Sequence, residues 1–251
     1  MTAPAAAGAA GAAGAPNATA APAAVAAPAA VGTAGAPAAP AAAGAPGTAG
    51  TAPAPAAPAA ATAPIVSGNF TFTDTSIAGL KVIDVRSFGD ARGYFMETYK
   101  RPDFLAGGID AAFVQDNQSA SCKGVLRGLH FQVESPQAKL VRVVSGEVFD
   151  VAVDLRRGSP TYGRWEGVVL SADNRRQFFI PRGFAHGFLV LSDTAEFAYK
   201  CDDVYRPADE GGLLWSDPEI GIAWPGLDVA YILSEKDRAN PCLAELGEQS
   251  P

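Results

Sequence analysis

From Thr71 onward the chain is written in short runs where apolar residues cluster or alternate with polar ones: "LKVIDV", "AAFVQDN", "KLVRVVSGEVFDVAVDL", "WEGVVLSA", "RQFFIPRG", "HGFLVLS" and "AEFAYKC". Gly, Pro, Asp or Ser bounds each run, the punctuation expected of antiparallel strands in a sandwich or barrel. "LRGLHFQ", residues 126–132, reads as a further strand, largely buried. Within "VFDVAVDL" a period of two places Val148, Asp150, Ala152 and Asp154 on one face and Phe149, Val151, Val153 and Leu155 on the other. Ser145 and Gly146, lying between two β-rich runs, predict a hairpin turn. No stretch sustains a 3.6-residue period, so helices should be few and short. The last fifty residues, with "VYRPADEGGLLWSDPEIGIAWPG", are rich in Gly, Pro and Asp and predict ordered loop wrapped around the strands. The fold class this implies is mainly β, a double-stranded β-helix or jelly roll whose interior can hold a small ligand.

The first part of the chain is a different material. The first 73 residues contain no Asp, Glu, Lys or Arg, and up to about Pro64 the text is Ala, Pro, Gly and Thr. Such a segment has too few large apolar groups to offset the entropy of ordering, and its prolines forbid the helix that alanine would favour. Residues 1–66 are therefore expected as a disordered, partly polyproline-like tail, and residues 67–251 as one domain with its own core. The tail lacks both the basic start and the apolar run of a secretory signal and is too weakly apolar to span a membrane.

Charge narrows the partners. The net charge of −7 argues against nucleic acid, whose phosphates call for clustered cations. Cys122, Cys201 and Cys242 form no CxxC pair, so neither a disulfide framework nor a zinc site is indicated, and a cytoplasmic setting is expected.

The chain has two histidines, His130 in "RGLHFQ" and His186 in "PRGFAHGF". A divalent metal in a jelly roll needs three or four convergent N or O ligands, and Gln132 stands where a second imidazole of an H-x-H pair would stand. No bound metal is expected. Imidazole titrates near neutrality, so the histidines read more naturally as acid–base groups. Arg127, His130 and Lys139 cluster on strand-like sequence, where ionisable groups cost stability unless paired or used.

Seven blocks in order, "DARGYF.E", "FVQDNQS", "GVLRGLHFQ", "PQAKLVRVVSGEVFDVAVDLR", "IPRGFAHGFLVLSD", "AEFAYKCDDVY" and "LSEKD", resemble the dTDP-4-dehydrorhamnose 3,5-epimerase family, and they span roughly Phe70 to Glu245. The resemblance implies a cupin-type jelly roll without metal or other cofactor. Its implied substrate is dTDP-4-dehydro-6-deoxy-D-glucose, inverted at C3 and C5 on either side of the C4 keto group. It also implies a homodimer whose N-terminal strands, residues of about 65 to 100, reach into the partner's pocket. By the same resemblance His130 is the base, Asp237 the carboxylate that orients it, Tyr199 the opposing acid and Lys139 the cation facing the C4 oxygen. Arg127 and His186 match positions at the sugar and diphosphate. Arg92 and Glu97 match nucleotide-binding positions, Phe95 and Tyr205 stacking aromatics, and Gln115 and Asn117 polar groups lining the pocket. One departure stands out: Gln118 occupies a position where the family carries His. Two other readings remain open: an epimerase acting at C3 or C5 alone in another deoxysugar pathway, and a sugar-nucleotide-binding cupin without catalysis.

Overall fold

The computed structural model describes residues 63–247. The expected tail, residues 1–66, lies outside the described residues apart from its last four. Two of those belong to the first strand, β1 (Ile65–Ser67), which pairs antiparallel with β2 (Phe70–Asp74).

The remaining elements follow in order: β3 (Lys81–Val85), β4 (Ser87–Asp90), β5 (Gly93–Met96), α1 (Arg101–Ala106), β6 (Gln115–Cys122), β7 (Leu126–Gln132), β8 (Lys139–Ser145) and β9 (Glu147–Asp154). After these come β10 (Trp165–Ser171), β11 (Gln177–Ile180), β12 (Phe184–Val190), β13 (Thr194–Cys201), β14 (Glu210–Gly212) and α2 (Glu235–Arg238). One sheet has seven strands in the order β1-β2-β3-β11-β8-β13-β6, and a second has five in the order β10-β9-β12-β7-β14. The β4–β5 hairpin pairs only with itself.

The two sheets enclose a common core. Val141, Val143, Phe178, Ile180 and Phe197 from the seven-stranded sheet pack with Val148, Ala152, Leu170, Phe184, Phe188 and Val190 from the five-stranded one. This is the mainly β, jelly-roll arrangement expected from the alternation of the strands. β9 shows the alternation working: Val148 and Ala152 face this core, whereas Val151, Val153 and Leu155 face outward. There they are covered by Leu213, Ile220, Leu243 and Leu246 of the C-terminal segment, which wraps the sheet as expected. On the other side, Phe70 and Phe72 of β2 meet Phe104 of α1 edge-on, with ring centroids 5.1 and 5.3 Å apart.

The hairpin expected at Ser145–Gly146 is a correction. β8 belongs to the seven-stranded sheet and β9 to the five-stranded one, and the two do not pair. The turn is a corner at which the chain changes sheets. Gly146 takes φ +79, and a Cβ there would sit 2.0 Å from the Thr194 carbonyl oxygen, so only glycine fits. Local turn chemistry looks the same for a hairpin and a corner. What separates them is which strands β8 and β9 later pair with, far along the chain.

Candidate active site

Residues of both sheets line a cavity of about 430 Å³. Arg127 and His130 on β7, His186 on β12 and Glu210 on β14 form one wall. Asn117 on β6, Lys139 on β8 and Tyr199 on β13 form the opposite wall, and Ser234, Lys236 and Asp237 close the rim. An adjoining cavity of about 350 Å³ shares Asn117, His130, Lys139, Tyr199 and Glu210 and adds Gln115, Cys201 and Tyr205.

Strand register explains the convergence. His130 and His186 are direct cross-strand partners of β7 and β12, so both rings leave the sheet on the same face. The strands press together beside them. Gly128 has φ +121, and a Cβ there would lie 2.6 Å from the Gly187 Cα, so the close approach requires glycine. On the other wall Tyr199 pairs with Val141 and Cys201 with Lys139, which puts the phenol and the ammonium one step apart on neighbouring strands.

His130 Nε2 hydrogen-bonds Asp237 Oδ1 at 2.6 Å, and the other ring nitrogen has no hydrogen-bond partner among the described residues. The His130 side chain is 32% exposed and that of Asp237 6%. Burial pushes the Asp237 carboxyl up, but the hydrogen bonds from His130, Ser234 and the Gly128 amide, with the charge of His130, outweigh it and hold the carboxyl below its usual range. The Lys139 side chain makes no hydrogen bond or ion pair among the described residues and faces the cavity, and the loss of water around it depresses its pKa against the nearby negative charge of Asp150 and Glu210. Burial also raises the Tyr199 phenol, keeping its proton in place near neutrality. Arg127 Nε donates to Ser121 Oγ at 3.1 Å, which points the guanidinium along the wall.

His186 has a partner that the sequence reading missed. Its Nε2 lies 2.9 Å from Asp150 Oδ2 and 3.1 Å from Oδ1, with side-chain exposures of 9% and 0%. Burial lowers the imidazole and raises the carboxyl. The available signal was Asp150 itself, a carboxylate on the inward face of a strand of valines and alanine. Glu210, Lys236 and Ser234 were also missed. Glu210 accepts from Tyr205 Oη at 2.7 Å and pairs closely with Lys236 Nζ, tying β14 to α2 across the rim.

Of the expected residues, His130, Asp237, Tyr199, Lys139, Arg127, His186 and Asn117 line the main cavity, while Gln115 and Tyr205 line its neighbour. Arg92, Phe95 and Glu97 line neither cavity. Arg92 is 90% exposed and paired with Asp90, Phe95 is 67% exposed, and Glu97 accepts a hydrogen bond from Asn69. Gln118 donates to Glu196 at 3.1 Å. Gln132 donates to the Arg206 carbonyl at 3.1 Å and to Asp209 at 3.3 Å. Among the described residues no three His, Cys, Asp or Glu side chains gather as a metal would need, and no helix is long and apolar enough to cross a membrane.

Comparison with known proteins gives a consistent answer. The profile of the family described as dTDP-4-dehydrorhamnose 3,5-epimerase matches residues 74–245. A dTDP-4-dehydrorhamnose 3,5-epimerase of Methanothermobacter thermautotrophicus is 57% identical over 171 residues, covering 67% of this chain and 92% of the relative. The solved dTDP-6-deoxy-D-glucose-3,5-epimerase of Legionella pneumophila, in complex with dTDP-4-keto-L-rhamnose, is 50% identical with a TM-score of 0.70, over 72% of this chain and 97% of that one. ChmJ, a 3'-monoepimerase of Streptomyces bikiniensis solved with dTDP-quinovose, is 38% identical with a TM-score of 0.65, over 69% of this chain and 88% of that one. The chain belongs to the dTDP-4-dehydrorhamnose 3,5-epimerase family.

Proposed function

We propose that the chain inverts C3 and C5 of dTDP-4-dehydro-6-deoxy-D-glucose, giving dTDP-4-dehydro-L-rhamnose for dTDP-L-rhamnose synthesis, with His130 as base and Tyr199 as acid. The observation that carries the assignment of roles is their placement on facing sheets across one cavity, with Lys139 beside Tyr199. A hydrogen on a carbon next to a ketone becomes acidic only if the negative charge that passes to the carbonyl oxygen is stabilised. The free nitrogen of His130 takes the proton from C3 or C5, and the Asp237 carboxylate steadies the imidazolium that results. The C–H electron pair moves into the ring, and the C4 oxygen becomes an enolate opposite the Lys139 ammonium. Tyr199 then gives its phenolic proton to the other face of the same carbon, inverting it and restoring the ketone. Proton exchange with water returns imidazolium and phenolate to their starting forms. The 38% identity to a 3'-monoepimerase, against 50% and 57% to the two 3,5-epimerases, favours inversion at both carbons.

In this reading Arg127 and His186 bind the diphosphate end. A guanidinium suits a diphosphate because its planar fork makes two parallel hydrogen bonds. Gln115, Asn117 and Tyr205 bind the sugar and the near part of the nucleotide, with residues 67–251 as the catalytic unit. Arg92, Phe95 and Glu97 serve the pocket of a second copy in a homodimer. The exposed Phe88, Tyr94 and Phe95 of the self-paired β4–β5 hairpin support that arrangement. Three free cysteines agree with a cytoplasmic enzyme. Incubation with the 4-keto sugar nucleotide in deuterated water tests the activity, read by NMR carbon by carbon. Deuterium at both C3 and C5 is expected. Exchange at one carbon alone would make it a single-carbon epimerase, and exchange at neither would leave a binding protein.

A further inference from the structure

Asp237 is delivered to His130 from a different part of the chain, 107 residues away, on a helix of four residues. A helix that short has almost no stability of its own, so something else must hold the carboxylate still. The approach to it is zipped to the start of β7: Ile232 N donates to the Gly124 carbonyl at 2.8 Å, and Leu126 N donates to the Ile232 carbonyl at 2.9 Å. Two residues on, Ser234 takes the N-cap position with extended backbone, and its Oγ accepts the Asp237 N–H at 3.1 Å. Ser234 therefore holds the backbone of Asp237 at the start of α2, and it also lines the cavity.

We propose that Ser234 is a positioning residue for the epimerisation: its hydroxyl, by capping the Asp237 N–H, fixes where the Asp237 carboxylate stands, and through Asp237 the orientation of the His130 ring. The inference rests on the reading of His130 and Asp237 as the base pair of the reaction. The His130 ring, 2.6 Å from that carboxylate, keeps its other nitrogen aimed into the cavity only while the carboxylate stays in place. Removing the cap loosens the carboxylate and lets the ring turn, which slows proton removal without changing how the substrate binds. The other ionisable or charged groups facing the dyad are Arg127 on β7, Lys139 on β8, His186 on β12, Tyr199 on β13, Glu210 on β14 and Lys236 on α2 itself. None of them is altered by a change at Ser234.

The test compares Ser234→Gly, Ser234→Thr and Asp237→Asn in the full chain, by steady-state kinetics from pH 5 to 9 and by thermal melting. Glycine is tolerated at an N-cap, so Ser234→Gly removes the hydroxyl with little cost to the fold, and threonine restores it. Ser234→Gly is expected to lower kcat by about tenfold with KM little changed. Ser234→Thr should return kcat toward that of the unsubstituted enzyme. If Asp237→Asn is inactive while Ser234→Gly keeps the parental kcat, the positioning role is wrong and the dyad stands. If Asp237→Asn is itself fully active, the dyad reading fails first. A melting temperature that falls in Ser234→Gly with an unchanged kcat would make Ser234 a structural cap only, which also overturns the inference.

Discussion

Both histidines of the chain are paired with an aspartate, yet the two pairs lie in different surroundings. His130 with Asp237 sits at the cavity rim, the ring a third exposed and the carboxyl held below its usual range. His186 with Asp150 is sealed into the wall, where burial pushes the imidazole down and the carboxyl up, so each disfavours its charged form. The chemical groups are the same; access to water separates them. A base must present a free nitrogen to the substrate and gain a proton without unfolding its surroundings, and only the first pair meets that condition.

The largest way to break the comparison is at the exposed pair. Asp237→Asn keeps the shape and removes the anion, and kcat should fall by about 10²- to 10⁴-fold with the melting temperature changed by only a few degrees. Tyr199→Phe should cost about 10²-fold in inverted product while deuterium still enters the substrate from the His130 side, because removal of the proton does not need the phenol. NMR of recovered substrate separates the two steps.

The buried pair should break differently. Asp150→Ala leaves a buried imidazole without its partner and is expected to cost about 3 kcal/mol of stability. In a domain of this size that lowers Tm by roughly 6–12 °C, readable by calorimetry. Its pH dependence follows from the same burial. The folded state holds His186 below its ordinary pKa, so the unfolded chain binds more protons there, and stability is lost as pH falls below about 6.5. His186→Asn should flatten that slope between about pH 6.5 and 5. Asp237, held low, contributes stability above about pH 4 and loses it only below that, so Asp237→Asn should flatten the most acidic part of the curve instead.

The smallest expected effect on the fold lies at the hairpin. Arg92 is 90% exposed and among the described residues bonds Asp90 alone, so Arg92→Ala should leave the melting temperature essentially unchanged. If the hairpin serves a second copy's pocket, the same substitution raises KM for the sugar nucleotide with kcat little changed, and titration calorimetry with dTDP should show weaker binding.

The contrast also marks what was legible in the sequence. Alternation in β9 gave the correct inward and outward faces, because a period of two is a local property of the backbone. The Ser145–Gly146 corner was misread because pairing partners are not local. His130, Asp237, Tyr199 and Lys139 were found through their motifs, and the structure brings all four to one cavity. Asp150 was assigned to the correct face but given no partner, since nothing along the chain shows that His186 ends up diagonally opposite it. Asp154 shares that face and is equally buried, yet it accepts from Arg156, Ser159 and Thr161 of the following loop, a structural task. Two aspartates four residues apart with the same pattern thus differ only in what the fold brings to them.

The most direct test of the account is to compare His130→Asn with His186→Asn for deuterium entry at C3 and C5 under saturating 4-keto sugar nucleotide. The account predicts no exchange at either carbon in His130→Asn, and exchange at both, slowed but present, in His186→Asn. Exchange that survives in His130→Asn and vanishes in His186→Asn would place the base on the buried pair and contradict it.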